Sequence, residues 1–199
     1  MGNILKTILM MYVTLFPVIL AGIANMAWCK SGILARTKRP IDGGRCLSDG
    51  QRIFGDNKTW KGVIGYILFN TLFALLWGLL CGMAGWERLN FFYVLHDNTP
   101  AFNLLIGLLL GLAYSLFELP NSFLKRRLGI TPGKSVSGAR KVFFVFLDQA
   151  DSIFGCALVV WMFYDLGALL YLLFVLVGAV THIAMNMLLY FAGLRRNMF

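Results

Sequence analysis

The chain has 199 residues, 59% of them hydrophobic and only 14% charged, with a mean hydropathy of +0.74, which excludes an ordinary soluble domain. Its formal net charge of +9 suits anionic headgroups or phosphates. Runs such as LLIGLLLGLAYSLF are apolar at nearly every position, which excludes the period-two alternation of a membrane β-barrel.

About 20 apolar residues cross the hydrocarbon core as a helix, and five segments qualify, at roughly 4–28, 62–84, 101–121, 142–164 and 166–192. The expected fold class is an all-α integral membrane protein with about five transmembrane helices in one domain, residues 1–199. The first segment is long, is broken only by Pro17 and lacks a small-residue cleavage site, so it reads as a retained span and not a removed signal. Cys29, Cys46, Cys81 and Cys156 show no CxxC spacing, and neither a disulfide framework nor a zinc site is indicated.

Two long polar loops follow the first and third spans. The first carries Lys30, Arg36, Lys38, Arg39, Arg45, Arg52, Lys58 and Lys61. The second carries Lys125, Arg126, Arg127, Lys134, Arg140 and Lys141, and with Arg195 and Arg196 the two loops put sixteen of the eighteen cations on one side. The positive-inside rule makes that side cytoplasmic, with the N-terminus outside and the C-terminus inside a cell membrane. Within the first loop, PIDGG and FGDNKTWKG form a turn-rich stretch that reads as folded. Gly55 and Gly62 let backbone amides approach an oxyanion, Lys58 supplies compact charge, and Asn57 and Thr59 offer hydrogen bonds. Taken alone, such a loop could simply satisfy the positive-inside rule. Asp42 and Asp49 read as loop or capping residues.

The third span ends with Glu118, Ser122, Lys125 and Arg126 at helical spacings, one face carrying an acid, a hydroxyl and cations. A cationic helix end snorkelling to headgroups is the plain alternative. In the fourth span the apolar run after Ser152 is too short to cross, so the helix must begin near Val142. Asp148 and Asp151 then lie roughly 9 to 14 Å inside the helix, on one face. Carboxylates so placed are paired structurally with Lys or Arg or hold a divalent cation with substrate phosphates. Together the two helix ends suggest a metal and phosphate pocket. GLLCG at 78–82 and GLLLG at 107–111 read as close helix contacts, and GxxxG patterns permit a homodimer. His182 and Asn186 share a face of the fifth span, where interhelical hydrogen bonding is the expected role.

With PIDGG, DGQRIFGDNKTWKG, SFLKRRLGITPG and LDQAD in order, the chain resembles the archaeal CDP-archaeol synthase family and its bacterial homologues. That family is distantly similar to the CDP-diacylglycerol synthases. The likeness runs from about Asn25 to Phe154, the fifth span matching only in hydrophobicity. It implies transfer of a cytidylyl group from CTP to a lipid phosphate, acyl or isoprenoid, with Mg2+ as cofactor and pyrophosphate released. Membrane lipids are the expected surroundings, and nucleic acid is not an expected partner. Carried onto this chain, it implies Asp148, Asp151 and Glu118 at the metal, and Lys125, Arg126, Ser122 and Lys58 at the reacting phosphates. Gly55, Asn57, Lys58, Thr59 and Gly62 would form the nucleotide pocket. The family pattern has Gly-Asp ahead of the SFxKR serine, where Phe117 and Glu118 stand here. Two other classes compete: a CDP-alcohol phosphotransferase, whose acidic signature is met only as DxxD, and a small transporter or anionic-lipid scaffold needing neither CTP nor Mg2+.

Overall fold

The structure is a computed structural model that describes residues 2–132, 140–191 and 193. The described residues form helices and turns with two isolated β-bridges and no strand. Five helices are long and apolar enough to span a membrane: α1 (Gly2–Lys30), α2 (Trp60–Ala84), α4 (Pro100–Arg127), α5 (Arg140–Phe163) and α6 (Gly167–Phe191). A one-turn helix, α3 (Phe91–Leu95), lies in the loop between α2 and α4. The five spans expected from hydropathy are therefore present, with α4 running on through Pro120 to include the cationic stripe. Lys134, Arg195 and Arg196 lie outside the described residues.

Chain neighbours pack side by side, α1 on α2, α2 on α4, α4 on α5 and α5 on α6, while α1 and α6 meet only sparsely. Without a hydrophobic drive between spans in lipid, close approach depends on small residues and polar links. GLLLG provides both. A Cβ at Gly107 would stand 2.6 Å from Thr71 Cα, and one at Gly111 would stand 2.7 Å from Ile67 Cα, so only hydrogen fits between the α2 and α4 backbones. Beside them the fully buried Asn70 donates from Nδ2 to Gly107 O at 2.9 Å. Outward, Leu169, Leu172, Leu176 and Val180 of α6 are all exposed, the lipid-facing stripe of a helix packed on one side.

The long loop between α1 and α2 is folded around one carboxylate. Asp42, buried, accepts from the backbone N–H groups of Gly44, Phe54 and Gly55 at 2.9 to 3.1 Å, and from Arg52 Nη2 at 2.6 Å. Bridges Pro40 to Thr59 and Cys46 to Arg52 close the loop on itself. Four charge-assisted bonds favour the ionised form, and despite the opposing effect of burial they hold the Asp42 carboxyl well below the usual carboxylate range.

Candidate active site

Two helix ends and one loop meet at the end of the bundle that carries the cations. Lys61, fully buried, fixes where α2 starts against α1: its Nζ donates to Ser31 O at 2.7 Å and stands 4.9 Å over the Trp28 ring. Thr59 caps α2, its hydroxyl accepting from Gly62 N at 3.2 Å, as an N-cap threonine should. α4 stops just past its cations in a Schellman turn. Gly129 (φ 72) donates to Arg126 O at 3.0 Å, and Ile130 donates to Lys125 O at 2.9 Å.

Arg127 ties the loop to α4. It donates to Asp49 Oδ2 at 2.5 Å and to the carbonyls of Gln51 and Arg52 at 3.0 and 2.5 Å. The Asp49 carboxyl accepts from Gln51 N as well and is held below its ordinary value by that bond, with Arg127 acting in the same direction. Gly55 has φ 98, and a Cβ there would meet Pro132 Cγ at 2.7 Å and Arg126 Cδ at 3.7 Å. Only glycine lets the FGDNKT turn lie so close to the end of α4.

This docking delivers Lys58 to the acids. Its ammonium pairs with Glu118 of α4. Burial acts to lower the Lys58 pKa, but the negative charges of Glu118, Asp151 and Asp148 outweigh it and raise the value. One lysine therefore feels all three carboxylates singled out in the sequence. Lys125, two turns beyond Glu118 on α4, pairs with Asp148 Oδ2 and lies 5.8 Å from the Phe144 ring centroid. Between the two aspartates stands Asn121, whose Nδ2 donates to Asp148 Oδ1 and to Asp151 Oδ2, at 2.7 Å each. Ser122 Oγ donates back to Glu118 O at 2.9 Å. Arg126 is 6% exposed, and its Nε and Nη1 have no hydrogen-bond partner among the described residues.

The structure thus brings Lys58, Glu118, Asn121, Ser122, Lys125, Arg126, Asp148 and Asp151 to one place. Part of the expected nucleotide loop also holds the fold together. The Gly55 N–H is committed to Asp42, and Thr59 and Gly62 form the α2 cap. Asn57 is exposed on the turn. Among the described residues, no three acidic, histidine or cysteine side chains gather as a metal site by themselves. Asn121, Arg127 and Lys61 are the residues that motif reading passed over. Asn121 was detectable, since it falls three residues after Glu118 and four before Lys125, on their face of the helix.

On the bundle side of this cluster, a cavity of about 190 Å³ lies in the gap between α1 and α6, lined by Met11, Leu15, Ile19, Tyr114, His182 and Asn186 among others. Its wall is mostly apolar, and its polar members from α6 contact Gln149 of α5. Asn186 Nδ2 donates to Gln149 Oε1 at 2.5 Å, and His182 Nδ1 is 3.2 Å from Gln149 O. Gln149 sits between Asp148 and Asp151 in the chain, and Tyr114 stands one turn before Glu118. The expected interhelical roles of His182 and Asn186 are met. The mostly apolar cavity and the charged cluster thus share α4 and α5 as neighbours, Tyr114 lining the first and Glu118 belonging to the second.

Comparison with known proteins adds four findings. The family model described as CarS-like, CDP-archaeol synthase, matches residues 4–199. A CDP-archaeol synthase of Methanococcus aeolicus is 30% identical over 161 residues, which cover 78% of this chain and 80% of that protein. One of Methanosarcina mazei is 29% identical over 175 residues, covering 79% and 89%. A solved structure of an intramembrane enzyme for archaeal membrane lipids biosynthesis superposes with a TM-score of 0.61 at 22% identity, over 88% of this chain and 92% of that one. At that identity the superposition speaks for the fold.

Proposed function

From the premise that the chain belongs to the CarS-like CDP-archaeol synthase family, we propose that it transfers the cytidylyl group of CTP to a membrane lipid phosphate. The observation that carries this reading is the Arg126 guanidinium, buried with two nitrogens unpartnered beside the Lys58 turn. A desolvated cation with unused donors is costly unless an anion completes it. The planar fork suits a phosphate group.

In the reaction, a lipid phosphate oxygen attacks the α-phosphorus of CTP and a new P–O bond forms. The bond from that phosphorus to the β-phosphate bridge oxygen breaks, and pyrophosphate leaves with the electron pair. The nucleophile is already an anion, so the protein's share is alignment and charge neutralisation. Arg126 and Lys125 bind phosphate oxygens, and Lys58, charged at neutral pH, exchanges Glu118 for the entering nucleotide. Ser122, back-bonded to its own helix, holds the α4 face in register. The apolar cavity between α1 and α6 receives the lipid chains, whether acyl or isoprenoid, with their phosphate toward Asp148 and Asp151.

A divalent cation fits the acids: Asp148 Oδ1 and Asp151 Oδ2, both hard oxygens, already converge on one point, now taken by the Asn121 amide. Asp148 and Asp151 would hold Mg2+, with Glu118 near enough to add its charge. When bound, the ion supplies neutralisation of charge on the phosphate oxygens. The cation-bearing end of the bundle faces the cytoplasm in this reading, where CTP is available.

Incubating the purified protein with CTP, Mg2+ and a panel of isoprenoid ether-lipid and diacyl lipid phosphates should release pyrophosphate and form CDP-lipid in at least one arm. The arm that reacts identifies the tail chemistry. Absence of product in every arm overturns the proposal.

A further inference from the structure

Asn121 occupies an unusual position. It is 6% exposed, its Nδ2 stands 2.7 Å from an oxygen of each aspartate, and its Oδ1 has no partner among the described residues. The outer carboxylate oxygens are held elsewhere: Asp148 Oδ2 pairs with Lys125, and Asp151 Oδ1 accepts from Ser152 N at 2.6 Å. The two inner oxygens are thereby aimed at the amide. Resting on the proposed metal role of Asp148 and Asp151, we infer that Asn121 is the third protein ligand of that cation, with its amide as a two-position switch. In the orientation seen, the NH2 end faces the aspartates and bridges their charges. With the ion the amide turns over and presents Oδ1.

Three physical points lead to this. First, the ends of a carboxamide are nearly the same size, so a half turn about Cβ–Cγ puts Oδ1 where Nδ2 now stands without moving the helix. Second, octahedral Mg2+ at about 2.1 Å from each ligand places neighbouring ligand oxygens about 2.9 Å apart. The turned amide oxygen would lie 2.7 Å from each carboxylate oxygen, close to an octahedral edge. Third, the end of the amide that points away lacks a partner in either orientation, so that cost cancels. Orientation is then decided by what lies between the aspartates. With nothing there, two carboxylates demand N–H donors; with a divalent cation there, they demand another oxygen.

This also accounts for a set of only two convergent acids in place of three. Glu118 is engaged by Lys58, and an amide oxygen completes the face without adding charge to an already acidic cluster.

The test is Mn2+ binding to the purified full chain in detergent micelles, without CTP, followed by loss of the free-ion paramagnetic resonance signal. The wild type should bind. Asp151→Asn should lose binding, Asn121→Leu should bind at least tenfold more weakly, and Asn121→Asp should bind at least as tightly as wild type. Wild-type affinity in Asn121→Leu, with Asp151→Asn silent, overturns the role of Asn121 alone. Should Asn121→Leu fail to fold, tenfold weaker binding by Asn121→Asp overturns it equally. Unchanged binding by Asp151→Asn, or none by the wild type, overturns the metal reading of the aspartates and this inference with it.

Discussion

At the scale of single residues, the division of labour among charged groups follows from which of them are already satisfied. Asp42 has a full set of donors, so it organises the loop and is not free for a ligand. Its lowered pKa fixes the sign of a pH effect. The fold favours the carboxylate, so the stabilisation is complete above the unfolded value of about 3.9 and is lost as pH falls through the lower folded value. Asp42→Asn should lower the thermal midpoint in micelles at pH 7, on the order of 3 kcal/mol of stability. It should also flatten the wild-type loss of midpoint below about pH 4. An equally steep acid dependence in the variant would refute the assignment. Arg126 is the opposite case, a buried cation with donors to spare. Arg126→Lys should cut kcat/KM for cytidylyl transfer by about 100-fold while leaving the melting temperature near wild type, because a lysine cannot reproduce the fork. Full activity in that variant would remove Arg126 from the phosphate site.

Among the helices, α2 and α4 set the frame on which the site rests. Their backbones approach at Gly107 and Gly111, and α4 then carries Glu118, Asn121, Lys125 and Arg126 beyond the seam to meet α5. Gly107→Val would insert a Cβ and two methyl groups where the Cβ alone would stand 2.6 Å from Thr71 Cα, an overpacking cost of about 1–3 kcal/mol. A lower thermal midpoint, together with reduced activity from a displaced α4, is the expected outcome. An unchanged midpoint would mean that the helices part without cost. For α5, span length was informative in the sequence, because an apolar run of twelve residues after Ser152 cannot cross and so draws Asp148 and Asp151 into the helix. α5 does begin at Arg140, and Asp151 is buried. Helix ends are less legible, as α4 shows: its cations read equally well as a loop or as a final helical turn, and the Schellman turn at Gly129 decided for helix.

For the molecule as a whole, charge asymmetry gives an orientation that can be tested directly. Cys46 is exposed in the loop after α1, whereas Cys81 and Cys156 are buried. A membrane-impermeant maleimide should therefore modify Cys46 in inside-out vesicles and spare it in right-side-out ones. The reverse pattern would invert the proposed topology. The sequence by itself determined the class, the number of spans and most residues of the cluster, because hydropathy and helical spacing are local properties that survive without knowledge of neighbours. It also marked the acids as needing compensation. Tertiary structure decided how that compensation is shared: Lys58 on Glu118, Lys125 on Asp148, Asn121 between the aspartates and, among the described residues, no partner on Arg126 Nε and Nη1. It also decided that Gly55, Thr59 and Gly62 build the loop and cap that position Lys58. The physical reason is that a motif fixes which donors and acceptors are present, while only the packing of α2, α4, α5 and the folded loop fixes which of them are used up and which remain for a ligand.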